Sequence, residues 1–296
     1  MRQFVALLVY SLVFQKTWGF LSRSFGFNSN VGITRLHVSL SDSGRDDSNP
    51  STAFGRPISK EVQDFDKFAV GLIKNVVFDT LFYGESRAFA RFYALETIAR
   101  MPYFAYTTAL HFLETFGQWR KVEYLKIHFA EDWNELHHLL IMEELGGNKN
   151  WFDRFVAQHI AFVYYLMVFV AYFYNPTLAY NLNQAVEEHA FDTYDKFLKD
   201  NEEDLKHIPA PKVAQQYYRD GDLYLFDEFQ TEACEPRRPK MDTLYDAFSA
   251  IRDDEKQHAL TMERLQTSVQ LKTPHSFHNM EECIVEYERL YGKDMT

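Results

Sequence analysis

Residues 131–147 read EDWNELHHLLIMEELGG, and the pair Glu135 and His138 inside this stretch decides the fold. Glu-x-x-His puts a carboxylate and an imidazole on one helical face, about 60° apart. Leu139 and Met142 continue that face. The pair therefore points inward, where an unpartnered charge is expensive. The same spacing returns downstream as Glu255-Lys256-Gln257-His258, within AIRDDEKQHAL. Single glutamates interrupt two further apolar helical stretches, Glu96 in FYALETIARM and Glu187 in LNQAVEEHAF. One Glu-x-x-His arises often by chance on a charged helix; all four features in one chain do not.

Two lone-glutamate helices and two Glu-x-x-His helices form the donor set of a di-metal carboxylate bundle. The predicted fold class is all-α: a ferritin-like di-iron carboxylate four-helix bundle with additional helices at a membrane interface. The expected metal ligands are Glu96, Glu135, His138, Glu187, Glu255 and His258. Four carboxylates and two imidazoles suit iron or manganese. The set holds no thiolate, which argues against zinc fingers and iron–sulfur clusters. Four carboxylates offset four of the six positive charges of a diferric pair, and a reduced pair offers two electrons at once.

Composition narrows the setting. The chain has 296 residues, 17% of them aromatic, with 27 Phe and 18 Tyr. That aromatic load suits a protein that meets lipid. The net charge is −11 and no basic stripe appears, which argues against a nucleic-acid partner. Two cysteines, Cys234 and Cys283, can build neither a disulfide framework nor a zinc site of their own. They are expected to be reduced thiols.

The first residues read as an address. FVALLVYSLVF after Met1-Arg2-Gln3 is a signal-peptide core, with Gly19 near a cleavage point. The Ser-rich, acid-free stretch that follows reads as a transit peptide, with Phe20 at the junction. The expected organisation is a signal peptide over 1–19, a transit peptide and linker over 20–55, the di-iron domain over 56–270 and a polar tail over 271–296. Such a bipartite presequence looks like those of algae with complex plastids; a simple secretory signal is the alternative.

Along the body, 61–83 predicts a leading helical arm. A first core helix over 87–116 should kink near Ala99–Arg100, because Pro102 falls inside it. The second helix, over 122–145, stops at Gly146-Gly147. It carries Glu123, Lys126, Glu131, Asp132, Glu143 and Glu144, a load no lipid-spanning helix tolerates. In the third, residues 160–174 are unbroken apolar or aromatic side chains. At 1.5 Å per residue these fifteen cover roughly 22 Å, less than the ~30 Å hydrocarbon core. The chain is therefore expected to lie in one leaflet as a monotopic protein, with a two-pass hairpin as the alternative. In the fourth helix, over 177–200, Glu187 shares a face with Tyr180, Ala190, Phe191 and Tyr194, whereas Glu188 sides with Gln184, Asp192 and Asp195. Glu187 is thus the inward one. Residues 201–240 show no helical period and read as an inserted loop. The last core helix, over 241–267, carries Glu255 and His258.

Tyr194 could supply an electron and a proton to the metal pair; a core tyrosine is the alternative. Asp254 lies four residues before His258 and could hydrogen-bond that imidazole. The remaining histidines, His111, His128, His137, His159 and His189, read as packing or surface residues rather than metal ligands.

With LET at Glu96, NELHHL at Glu135 and His138, VEEHAFDTYDKF at Glu187 and RDDEKQH at Glu255, the chain resembles the alternative oxidase family. Within it, the likeness is to the plastid branch, with GDLYLFDEFQT and RRP looking like that branch's extra segment. The resemblance covers about 87–266. It implies two iron ions and oxidation of plastoquinol coupled to reduction of O2 to water, without proton pumping. Arg91 and Leu95 would lie near the quinol pocket, and His111, Tyr172, Tyr194 and Asp254 would match positions important for activity. It also implies a monotopic protein on the stromal side of the thylakoid membrane, often a homodimer. A mitochondrial-type ubiquinol oxidase, or a hydroxylase or desaturase on the same ligands, are the alternatives. The acid Glu188 beside Glu187 departs from the family's pattern, where a small residue is expected.

Overall fold

A computed structural model describes residues 70–71, 87–221, 223–231, 234–266 and 281–285. The presequence, most of the 61–83 arm and most of the tail lie outside the described residues. Among the described residues the chain is all-α. The elements in order are α1 (Ala88–Ala99), α2 (Met101–Glu114), α3 (Val122–Glu144), α4 (Trp151–Tyr174), α5 (Pro176–Lys206), α6 (Lys212–Gln215), a π-helical turn (Gln216–Asp220), α7 (Leu223–Glu228) and α8 (Leu244–Leu265).

The break between α1 and α2 falls at Arg100, where Pro102 demands it; the proline sits in the first turn of α2, the position that tolerates a missing N–H. All eight residues from Phe92 to Ala99 are buried, so Glu96 lies in the interior. α3 ends in a Schellman motif. The Gly146 N–H donates to the Glu143 carbonyl at 2.9 Å and the Gly147 N–H to the Met142 carbonyl at 2.8 Å. Gly146 takes φ +82° there, a conformation open to glycine. Asn175 closes α4 and caps α5, its Oδ1 accepting the Thr177 N–H at 3.1 Å, with Pro176 opening the new helix. α8 starts on a capping box between Thr243 and Asp246.

α5 and α8 share the most extensive packing, and α1 packs on α3. These four helices carry the six predicted ligands. α2 and α4 pack against each other and leave Phe104, Phe112, Phe116, Phe162, Leu166, Val170 and Phe173 exposed. α4 is the one described helix long and apolar enough to cross a membrane.

Two expectations change. Residues 201–240 are not an aperiodic loop. α5 runs on to Lys206 past a kink at Asn201, and the rest forms short helices that bury Tyr217, Tyr218, Phe226 and Phe229. Pieces of four to six residues are too short to register as a 3.6-residue period. Nor are the cysteines free thiols: Cys234 and Cys283 form a disulfide, with Cα atoms 5.8 Å apart across 49 residues of sequence. Their separation in sequence hides a proximity that only the fold creates. The bond ties the 201–240 segment to the helical turn at 281–285.

Gly147 seats the end of α3 against the start of α1. A Cβ there would lie 2.3 Å from the Phe89 carbonyl oxygen, 2.8 Å from the Tyr93 Cβ and 3.0 Å from the Met142 oxygen. Gly147→Ala should therefore destabilise the fold by about 1–3 kcal/mol, read as a lower thermal midpoint. An unchanged midpoint would show that α1 and α3 can separate at no cost.

Candidate metal centre

α1 contributes Glu96, α3 Glu135 and His138, α5 Glu187, and α8 Glu255 and His258, and all six side chains are fully buried. They form two overlapping groups. In one, Glu96, Glu135, His138 and Glu255 place donor atoms within 4.8 Å of one another; in the other, Glu135, Glu187, Glu255 and His258 do. Glu135 and Glu255, one from each Glu-x-x-His, belong to both. His138 Nδ1 lies 3.2 Å from Glu255 Oε1 and 3.7 Å from both Glu96 Oε2 and Glu135 Oε1. His258 Nδ1 lies 2.9 Å from Glu135 Oε1 and 3.9 Å from Glu187 Oε2.

Buried polar atoms are normally paired. Here both oxygens of Glu135 and of Glu255, one oxygen each of Glu96 and Glu187, and both Nδ1 atoms find no hydrogen-bond partner among the described residues. Eight such atoms in two overlapping groups fit a pair of hard cations. The electrostatics agree. Burial, then the neighbouring carboxylates, pushes Glu135 and Glu255 well above the usual carboxylate range. Burial likewise raises Glu187 to about 7. Cations among these groups would reverse that logic.

Around the ligands stands a second set of partners. Tyr194 donates to Glu96 Oε1, and Tyr103 donates to Glu187 Oε1 at 2.8 Å. Asp254 is buried beside the cluster, but its imidazole partner is His138, Nε2 to Oδ2 at 3.1 Å, not His258. The i−4 spacing places Asp254 on the His258 face of α8, yet the side chain reaches across to α3, where Asn134 also donates to it at 3.0 Å. Burial would lower the His138 pKa, but the hydrogen bond to Asp254 and the neighbouring Glu96 and Glu135 carboxylates raise it to about 10. His258 has no such partner, and burial lowers it to about 3.

The alternative oxidase family model matches residues 56–267, most of the chain. This chain belongs to the alternative oxidase family. It is similar to ubiquinol oxidase 4, chloroplastic/chromoplastic, of Arabidopsis thaliana, 54% identical over 230 residues, or 77% of this chain and 65% of the relative. A mitochondrial ubiquinol oxidase of Mangifera indica is 31% identical over 199 residues, 65% of this chain and 55% of the relative. Mitochondrial ubiquinol oxidase 1 of Nicotiana tabacum is 29% identical over the same length, 65% of this chain and 50% of its own. The chain thus spans about half to two thirds of the length of these relatives.

Within this family member, the other expected site residues are dispersed. Leu95 is buried next to Glu96, and Arg91 is half-buried one turn earlier on α1. His111 is exposed on α2, 3.5 Å from Glu114, and takes no part in the cluster. Tyr172 is buried, with its hydroxyl 3.1 Å from that of Tyr180. A cavity of about 340 Å³ between α5 and α8 is lined by Gln184, Glu188, Phe191, Asp192, Lys256 and Glu263, among others, and includes none of these residues.

Sequence reasoning missed one buried pair. His128 Nδ1 lies 2.9 Å from Glu131 Oε2 and its Nε2 lies 3.0 Å from the Tyr180 hydroxyl, all three buried. Glu131 reads in sequence as one of many charges on α3; its three-residue spacing from His128 was the available signal. Replacing His128 by Gln should cost about 1–3 kcal/mol, since Glu131 loses a buried partner. Burial lowers the His128 pKa from 6.5 to about 3, so below 6.5 the unfolded chain takes up a proton that the folded chain refuses. The stability this imidazole contributes is full above pH 6.5 and shrinks as pH falls toward 3. The difference in urea midpoint between wild type and His128→Gln should therefore narrow from about pH 7.5 to about pH 5.

Proposed function

We propose that this chain is a di-iron quinol oxidase that oxidises plastoquinol and reduces O2 to water. The observation that carries the reading is the convergence of six buried donors from four helices into two groups that share Glu135 and Glu255. Glu96 and His138 would hold one iron, Glu187 and His258 the other, and Glu135 and Glu255 both. When bound, the iron pair supplies O2 binding and two electrons at a time. Two quinols and one O2 give two quinones and two waters, so four electrons and four protons balance.

The chain's own residues prepare that chemistry. Burial of all six donors excludes bulk water. Tyr194 holds a proton at Glu96 and Tyr103 holds one at Glu187, so each outer carboxylate has a hydroxyl at hand for proton and electron movement. Arg91 and Leu95, on the same helix as Glu96, are the proposed quinol contacts, with Tyr172 and His111 further along the α2–α4 side.

The exposed aromatic surface of α2 and α4 supports attachment to one leaflet. Phe112 lies 5.7 Å from Phe173 and 6.1 Å from Phe169, and Phe162 and Phe104 are 60% and 50% exposed. Such a continuous apolar surface is costly in water and favourable in lipid, where a quinol dissolves. The likeness to the chloroplastic/chromoplastic oxidase of Arabidopsis and the bipartite N-terminus support a plastid setting at the stromal face of the thylakoid. A homodimer is part of this reading.

Purified protein should bind about two irons per chain and consume quinol and O2 in a 2:1 ratio. Glu135→Ala or Glu255→Ala, each removing a group common to both halves, should abolish quinol-dependent O2 uptake and deplete iron. Unaltered uptake, or an oxygenated organic product, would overturn the oxidase reading. In proteoliposomes turnover should leave no transmembrane potential, because electrons and protons reach one buried site from the same substrate. A potential built during turnover would show vectorial pumping.

A further inference from the structure

The 201–240 segment reaches the metal cluster through a cation. Arg237 Nη2 donates to Asp254 Oδ1. The other oxygen, Oδ2, accepts from the Tyr218 hydroxyl at 2.7 Å, from Asn134 Nδ2 at 3.0 Å and from His138 Nε2 at 3.1 Å. We propose that Arg237 is a positioning residue for His138, acting through Asp254. This rests on reading the six-residue cluster as an iron pair.

The argument is one of charge and direction. An ionised carboxylate is an acceptor only, so His138 must present Nε2–H to Asp254 and keep its Nδ1 lone pair toward Glu96, Glu135 and Glu255. That arrangement orients the imidazole as a metal ligand. Asp254 is fully buried, and a buried anion needs a counter-charge. Arg237 is the cation in contact with it; Asn134 and Tyr218 are neutral donors.

Arg237 is itself fixed in place. Its backbone N–H donates to Gln230 Oε1 at 2.7 Å, and Gln230 Nε2 donates to the Phe226 carbonyl at 2.9 Å. The guanidinium lies 5.7 Å from the centre of the Phe226 ring, which packs edge-on against Tyr217, Tyr218 and Phe229. Three residues earlier, Cys234 is anchored by its disulfide to Cys283. The second partner of Arg237, Asp253 at 3.9 Å, already accepts from Arg252 at 2.7 Å and cannot replace the buried one.

The adjacent Arg238 serves as the control. It pairs with Asp227 in the same segment and touches no ligand. Full-length protein loaded with Fe(II) would be challenged with a chromogenic iron chelator, and the electron paramagnetic resonance signature of the iron pair recorded alongside. Arg237→Gln should release iron about 10–100-fold faster and change the signature, with kcat lowered and the KM for quinol unchanged. Arg237→Lys should fall between wild type and Gln, and Arg238→Gln should match wild type. Release and signature unchanged in Arg237→Gln, or an equal loss in Arg238→Gln, would overturn the proposal. Should Arg237→Gln fail to fold, Arg237→Lys decides: faster release than Arg238→Gln supports the role, and equal release overturns it. A wild-type chain that takes up no iron would overturn the iron reading itself, and this inference with it.

Discussion

Four carboxylates packed into one dry pocket repel one another and lose their hydration, and everything else in this fold answers that constraint. Glu96, Glu135, Glu187 and Glu255 are all fully buried. A cluster of this kind is tolerable only with cations among the oxygens or protons on them. The helices can meet there because the ligands recur at helical spacing, each Glu-x-x-His putting its two donors on one face of α3 or α8. Around them, Phe92 stacks on Tyr194 at 4.4 Å and meets Phe248 edge-on at 5.3 Å, so the aromatic core clamps the helices that hold the charge.

The same constraint explains why α1 is buried on every side from Phe92 to Ala99 while α5 is not. α1 packs against α3 and α4, and its only buried charge is Glu96, a member of the cluster. α5 keeps a solvated edge, where Lys196 and Lys199 pair with Asp200 and Asp195 four residues away. Glu187 and Glu188 fall on opposite sides of that divide: one is fully buried, the other accepts a hydrogen bond from Gln184 at 2.9 Å. The acid that departs from the family pattern is thus accommodated on the outer side of the helix.

What sequence could read was periodic, and what it could not read was set by distant partners. The ligand helices, the break at Pro102, the stop at Gly146-Gly147 and the choice of Glu187 over Glu188 all follow from local spacing and backbone chemistry. The Cys234–Cys283 bond, the Arg237–Asp254 pair and the contact of His128 with Tyr180 join residues whose proximity depends on the assembled bundle. Asp254 shows the limit within a single helix. Its position beside the cluster was legible, but the imidazole it serves lies on another helix, 116 residues away in sequence.

That choice makes two motifs alike in sequence unlike in structure. His138 is held by a charged network whose members come from α3, α8 and the 201–240 segment. His258 meets rings instead, Phe229 at 5.3 Å and Tyr103 at 5.4 Å, and its Nε2 has no hydrogen-bond partner among the described residues. One imidazole is thereby fixed as a hydrogen-bonded donor with its lone pair aimed inward. The other is held by packing against those rings, with its Nδ1 2.9 Å from Glu135 Oε1. It follows that the two halves of the cluster are electrostatically inequivalent, and that the inequivalence is imposed from outside the four-helix core, by a segment with no helical period in its sequence.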